Sequence, residues 1–500
     1  MVSNPSSPTL SAGAANAARR GVTRSGVTLV HLMQELIRPL SEREFGIYAL
    51  SIDSPSVLDL CDFETGWISR DGSCVGVILR GPALLDRRAL VLRRQIDARF
   101  VVTQDRVTSR EPKAAAAEIA IAMRVGDPPE AIKPGVKRRP LLLDLRGRTP
   151  GEHFKLLTST LNHRPALLAL GEVYLAMPAP DANFVPDFQT ANFDSRLWEL
   201  YLLAAFREQG VKVAQETASP DFKIERDSHV CHVEAVTANT PGERVQGLTM
   251  PQQAPADLKE RLLGAPAARF AKTLRSKLQR EYQHLPHVTG EPFALALADF
   301  HAPGSMVWSR EALPTYLYGI LAHVEERPSG RVAVGTSVEQ LIGESGIPAG
   351  LFRDPAMAWL SAVIFSNAAT LAKFNRMGFL AGWRPPGLSM RRQGVLFDRT
   401  PGALAPMQFD LDVLSDEYAA LWPHGEAWCV ELEVYHNPLA TRPMAFDLIP
   451  GATHWFELNG ELVCSTVWEH QVLSSITNLA WSKDLMETQP SARPSAPENA

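Results

Sequence analysis

The chain has 500 residues, of which 45% are hydrophobic and 21% charged, and it carries a formal net charge of −5 at pH 7. That length exceeds what one core usually serves, so about two or three domains are expected, and the composition is that of an ordinary globular protein. The acidic balance excludes contact with a polyanion through bulk charge, because such a partner would have to meet a local patch of Lys and Arg.

Residues 1–26 are rich in Ser, Pro, Ala and Gly and cannot bury enough surface to offset their ordering entropy, so a disordered tail is expected in preference to a transit or export signal. From 27 to 180 the pattern is that of a mixed α/β domain starting near Val27. Short apolar runs (SVLDL, CVGVILR, RALVLRRQI) alternate with turn pairs such as Ser54-Pro55 and Asp71-Gly72, Lys113 to Val125 is expected to be helical, and LLLDL at Leu141 to Leu145 has strand character. The basic groups Arg87-Arg88, Arg93-Arg94 and Lys137-Arg138-Arg139 are read as solvated surface. Five widely spaced cysteines form no paired CxxC, which argues against structural zinc and for reduced thiols in a cytoplasmic protein. No apolar run approaches the roughly twenty residues of a membrane span.

A Pro-rich edge from Met177 to Phe188 precedes the most informative stretch, Asp194 to Asn239. Its first part is apolar nearly all round (Leu197, Trp198, Leu200, Tyr201, Leu202, Leu203) and predicts a buried helix ending at Gly210, with Glu199 inside the apolar block. A buried carboxylate needs a partner or takes up a proton. Taken alone, pairing with Arg196 one turn back explains it. Downstream, Pro220-Asp221 follows the strand-like VKVAQ, and Glu234 lies in the strand-like VCHVEAVTA. A helix, a turn and a strand thus offer three carboxylates to one point, the hard oxygen set that Mg²⁺ takes. A further helix from about Ala267 to His284 and a strand, FALALADF, complete an α/β unit.

At these residues the sequence resembles the PD-(D/E)xK nuclease superfamily, whose motif is a turn Asp, a strand Glu and a Lys two residues on, often with a helical Glu before them. Pro220-Asp221, Glu234-Ala235 and Glu199 carry the resemblance, which covers about a quarter of the chain. The Lys position holds Val236. Because residues i and i+2 of a strand face the same way, the missing cation must come from elsewhere. On an ideal wheel Lys277 falls within about 20° of Phe270, at the edge of the stripe Phe270, Leu274, Leu278, whereas Lys272 points away at about 200°. Arg275 flanks the other edge but is a poor proton carrier. Lys277 is therefore expected at the site, with Gln279 and Arg280 then facing nucleic acid. The resemblance implies a restriction-endonuclease-like mixed sheet flanked by helices at 190–325, and Mg²⁺ or Mn²⁺ held by Asp221, Glu234 and Glu199. It further implies hydrolysis of DNA ahead of RNA, and a homodimer would suit cutting both strands.

Weaker signals surround this unit. His229, Cys231 and His232 cluster beside Glu234, but alternation sends Cys231 to the opposite face, which disfavours one zinc site. Asp299 and His301 end a strand and could approach the metal or cap a turn. From 326 to 488 a C-terminal α/β region packed on the nuclease core is expected. Its signals are a helix near Glu311 to Glu325 entering it, β-type MAWLSAVIFS, and a helix in NAATLAKFNRMG whose Lys373 and Arg376 would contact phosphate or solvent. Segments here resemble bacterial proteins of no assigned activity. Residues 489–500 read as a second disordered tail. The leading expectation is a multidomain α/β protein with a metal-dependent nuclease domain. The alternatives are a nuclease-like module that binds nucleic acid or protein without catalysis, motivated by Val236, and an interaction protein whose acids form structural ion pairs.

Overall fold

The computed structural model describes residues 37–52, 61–81, 87–124, 138–142, 145–239, 251–328, 330–343, 346–400, 402–422 and 425–482. Both expected tails, the Val27 start, the SVLDL run and residues 240–250 of the turn-rich segment that follows Ala238 lie outside the described residues. The fold is mixed α/β, in two compact units.

The first unit is a five-stranded sheet in sequential order: β1 (Ile37–Leu40), β2 (Asp62–Ser69), β3 (Cys74–Arg80), β4 (Arg87–Arg94) and β5 (Phe100–Thr108). One face receives the helix Pro112–Arg124 through Ala115, Ile119, Ala122 and Met123, packed on Cys74, Ile78, Ala89 and Val91. Gly76 permits that approach, since a Cβ there would meet Met123 Sδ at 2.7 Å. LLLDL does not form the expected strand at its start, where Leu141 and Leu142 lie in a turn.

The second unit is built on an eight-stranded mixed sheet. Its strands are β6 (Lys212–Ala214), β7 (Phe222–Arg226), β8 (His229–Asn239), β9 (Phe293–Phe300), β12 (Ala362–Ser366), β15 (Glu433–His436), β16 (Thr453–Leu458) and β17 (Glu461–Ser465), in the order β17-β16-β15-β12-β9-β8-β7-β6. The strands β6, β7 and β8 are antiparallel, whereas β8, β9 and β12 run parallel. Residues from 326 to 488 thus supply half of a sheet whose other half comes from the central segment.

Strand β9 shows why the sheet has two unlike faces. Its small residues, Ala294, Ala296 and Ala298, meet the helix Phe193–Glu208 on one side, where Trp198 and Tyr201 supply the bulk and the Trp198 indole donates to Ala296 O at 2.9 Å. The alternate residues Phe293, Leu295 and Leu297 point the other way, onto Phe270, Leu274 and Leu278 of the helix Ala265–Leu278. The period of two of the strand and the apolar stripe of each helix therefore fix which helix covers which face.

The expected helix from Glu311 to Glu325 is corrected: helix Ala312–Tyr318 stops at Gly319, which takes φ 64°, and the chain continues as an exposed hairpin, β10 (Ile320–Arg327) with β11 (Gly330–Ser337). Strands β13 (Leu388–Leu396), β14 (Met407–Asp412) and β18 (Val472–Trp481) form a third sheet. Among the described residues no helix is long and apolar enough to cross a membrane.

Candidate active site at an open strand edge

The cleft arises where one strand outlasts its neighbour. β7 pairs with β8 only as far as Phe222↔Val233, while β8 continues to Asn239 on the β9 side. Among the described strands none pairs with the other edge of β8 beyond that point. Asp221, the residue just before β7, substitutes for the missing ladder partner, its carboxylate accepting the Ala235 N–H at 2.7 Å. This bond satisfies a backbone donor that would otherwise face the cleft unpaired and fixes Asp221 next to Glu234.

Two helices flank this edge and bound an open cleft of about 640 Å³. The start of the helix Phe193–Glu208 approaches through Ser195, whose hydroxyl is 3.0 Å from the Thr237 hydroxyl, and presents Glu199 one turn further along. The helix Ala265–Leu278 presents Lys277 from the other face of the sheet. Its ammonium donates to Glu234 Oε1 at 2.7 Å, and the Ser219 hydroxyl donates to Glu234 Oε2 at 3.0 Å. Arg280, one turn on, is 62% exposed and 4.0 Å from the same Oε1. Glu199, Asp221, Glu234 and Lys277 all line this one cleft.

Their electrostatics are unbalanced. Glu199 and Glu234 are buried and Asp221 is half-buried. Burial, and then the neighbouring Asp221, pushes the Glu199 carboxyl up to about 8 in spite of Arg196. Burial, and then Glu234, pushes Asp221 up to about 7, although the Ala235 N–H and Lys277 pull the other way. Arg196, Lys277 and the exposed Arg280 do not offset the crowded carboxylates.

The pairing of Glu199 with Arg196 exists as well, at 3.0 Å, but on a buried rather than a wet stripe. Arg196 also holds Asp187 at 2.7 Å and Asp181 at 2.9 Å, and its guanidinium lies 5.0 Å over the Phe184 ring. These acids come from the Pro-rich passage, part of which forms the helix Phe184–Gln189 and places Asp187 on the cleft wall. Val236 also lines the cleft while packing in the apolar cluster of the basic helix. Arg275 faces the buried Tyr316 instead of the carboxylates.

Other sequence candidates lie elsewhere. His232 is bonded to Glu291 at 2.6 Å, His229 is 3.4 Å from Asp447, and Cys231 is in the core. Asp299 closes a turn of its own: its carboxylate accepts from the His301 N–H at 2.9 Å, contacts His301 Nδ1 at 2.7 Å and accepts from the Ser309 hydroxyl. Lys373 and Arg376 do not face solvent, being buried with Glu426 and Glu431. Sequence reasoning missed Ser219 and Asp187. Neither has a periodic signal, although Ser219 could have been suspected from its place beside Pro220-Asp221.

Among the described residues no group of three or more His, Cys, Asp or Glu side chains is arranged to hold a metal ion. Glu199 turns toward Arg196, and both oxygens of Glu234 are engaged. No family model, no curated protein and no solved structure matches this chain.

Proposed function

We propose that the cleft hydrolyses phosphodiester bonds of nucleic acid, DNA ahead of RNA, with the aid of a hard divalent cation. The observation that carries this reading is the 2.7 Å contact between Lys277 and Glu234 in a cleft that also contains Asp221 and Glu199. A motif that lacks its lysine on the strand has a lysine delivered to the same carboxylate by another helix. The local order of a helix bearing Glu199, the Asp221 turn, strand β8 bearing Glu234 and the helix bearing Lys277 supports a nuclease-like arrangement. The mixed sheet with helices on both faces agrees with it.

The donor set suits Mg²⁺ or Mn²⁺. All three acids offer hard oxygens, and the raised carboxyls of Asp221 and Glu199 mark a place where added positive charge is stabilising. Asp221 and Glu234 would hold the ion, with Glu199 behind Asp221. When bound there, the ion supplies acidification of a water and stabilisation of charge on the phosphoryl oxygens. Lys277 orients the attacking water or neutralises the charge that develops during attack. Ser219 and the Ala235 N–H keep the two carboxylates in place.

A plasmid-nicking assay with and without Mg²⁺ tests the reading. Metal-dependent nicking that disappears in the Asp221→Ala, Glu234→Ala double variant is expected. Undiminished nicking in that variant removes the site, and absence of nicking with retained nucleic-acid binding favours a binding module without catalysis.

A further inference from the structure

Beside the carboxylates stand two groups that the reaction as described leaves unused. Arg280 lines the cleft with a largely exposed side chain, and its contact with Glu234, at 4.0 Å, is far looser than that of Lys277. Tyr282, which begins a short turn after the same helix, is 2% exposed, and its hydroxyl makes no well-formed hydrogen bond among the described residues. That hydroxyl lies within electrostatic reach of both Glu234 and Arg280. Burying a hydroxyl without a partner is costly, and here the ring cannot turn away, because it stacks on Phe293 with centroids 4.9 Å apart.

We propose that Arg280, backed by the Tyr282 hydroxyl, forms the phosphate-binding half of the cleft, holding the non-bridging oxygens of a nucleic-acid strand next to the carboxylates. This deepens the nuclease reading and rests on it. The division of labour follows from the side chains. Lys277, held to Glu234, is a compact charge already committed within the site. Arg280 presents a planar fork of N–H donors that matches two phosphate oxygens at once. Its exposure lets it meet a polymer that enters from solvent, and the Tyr282 hydroxyl, facing Glu234 and Arg280, adds a neutral polar group behind it. The ligand chemistry is a phosphodiester, common to DNA and RNA. The net charge of −5 makes such a local grip necessary for any strand to remain bound.

The test uses the full chain and labelled 20-nucleotide strands of single-stranded DNA, duplex DNA and RNA. Dissociation constants are measured by anisotropy over a range of salt, in Mg²⁺ and in EDTA, beside the nicking assay. Arg280→Ala should weaken binding roughly tenfold and reduce the slope of log K against log salt by about 0.7 to 0.9, the value for one phosphate contact. Arg280→Lys should recover the slope and only part of the affinity. Tyr282→Phe, which keeps the stacked ring, should weaken binding about twofold to tenfold and leave the slope unchanged, since no charge is lost. Arg331→Ala, in the exposed hairpin, should change neither. If Arg280→Ala retains wild-type affinity and slope while Asp221→Ala abolishes nicking, the phosphate grip is overturned and the nuclease reading stands. If the wild type neither binds nor cuts any of the strands, both fall together.

Discussion

The acidic cleft and the charged cluster beneath the helix Leu371–Leu380 bury carboxylates to similar depth and treat them in opposite ways. In the cluster, Lys373 donates to Glu426 at 2.8 Å and to Glu431 at 3.0 Å, and Arg376 holds Glu426 through two of its nitrogens. Arg392 reaches both acids, and the Tyr418 hydroxyl donates to Glu426. Against the cost of burial, these cations hold Glu426 well below the usual carboxylate range and lower Glu431 as well. In the cleft, burial wins and Glu199 and Asp221 are pushed up. The cluster has three cations for two acids and is self-sufficient. The cleft has four acids, Asp187, Glu199, Asp221 and Glu234, for three cations, Arg196, Lys277 and Arg280, and is not. The cluster completes its own charge, whereas the cleft leaves charge that a cation or substrate would complete under the proposed function.

The largest effect that can break this comparison belongs to the cluster. Glu426→Gln leaves Lys373, Arg376 and Arg392 crowded round one remaining carboxylate, and it should cost about 3–5 kcal/mol of stability, read as a large fall in the denaturation midpoint. The matching change in the cleft, Asp221→Asn, keeps an oxygen to accept the Ala235 N–H while removing a repelled charge. It should raise Tm by a few degrees in the absence of metal while abolishing metal-dependent nicking. A loss of stability in Asp221→Asn as large as in Glu426→Gln would show both regions to be structural ion pairs.

A smaller effect is expected in the dependence on pH. A carboxyl raised in the folded state binds its proton more tightly there than in the unfolded chain. The contribution of the cleft to stability is therefore greatest below about pH 4 and falls as pH rises through about 7 for Asp221 and about 8 for Glu199. The cluster has the opposite sign: its lowered carboxylates contribute fully above the unfolded value near 4.5 and lose that contribution in acid. Added Mg²⁺ should raise Tm more at pH 8 than at pH 5, where it must displace protons, and Asp221→Asn should abolish that difference. Thermal melts at the two pH values, with and without Mg²⁺, check this.

The same comparison explains what could be read from the chain. The cleft was legible because its members obey local periods. The strand alternation turns Glu234 toward the basic helix, the helical wheel turns Lys277 back toward the strand, and both rules act within a few residues. The cluster was not legible, because Lys373 and Arg376 find Glu426 and Glu431 some fifty residues on and Arg392 arrives from a different sheet; on the helix alone they resemble a solvated face. Arg138, read as surface, is likewise taken inward by the Tyr174 and Met177 carbonyls. The sheet beyond β9 escaped for a related reason: β12 and β15 are only four or five residues long and pair across about seventy residues of intervening chain. Hairpin β10–β11 was taken for helix because Leu321 to Glu326 has helical composition, and only the left-handed Gly319 marks the break.

The smallest effect asks whether the position of the cation matters or only its presence. Val236 and Glu234 lie two residues apart on β8 and both line the cleft, so a lysine at 236 extends from the same face as the carboxylate. Lys277→Ala should lower the nicking rate roughly a hundredfold if the ammonium takes part in proton transfer or charge neutralisation. Adding Val236→Lys to that variant should restore about tenfold of the loss. Recovery would be incomplete, because Val236 also packs against the apolar stripe of the basic helix and its replacement buries a lysine stem where a smaller side chain fitted. Recovery in the double variant without change in the affinity for uncleaved strand would assign Lys277 to the chemistry and leave Arg280 and Tyr282 to hold the substrate. No recovery, with Tm kept, would mean that the ammonium must come from the helix, and that the geometry of the Glu234 contact, more than the charge it brings, sets the activity of the cleft.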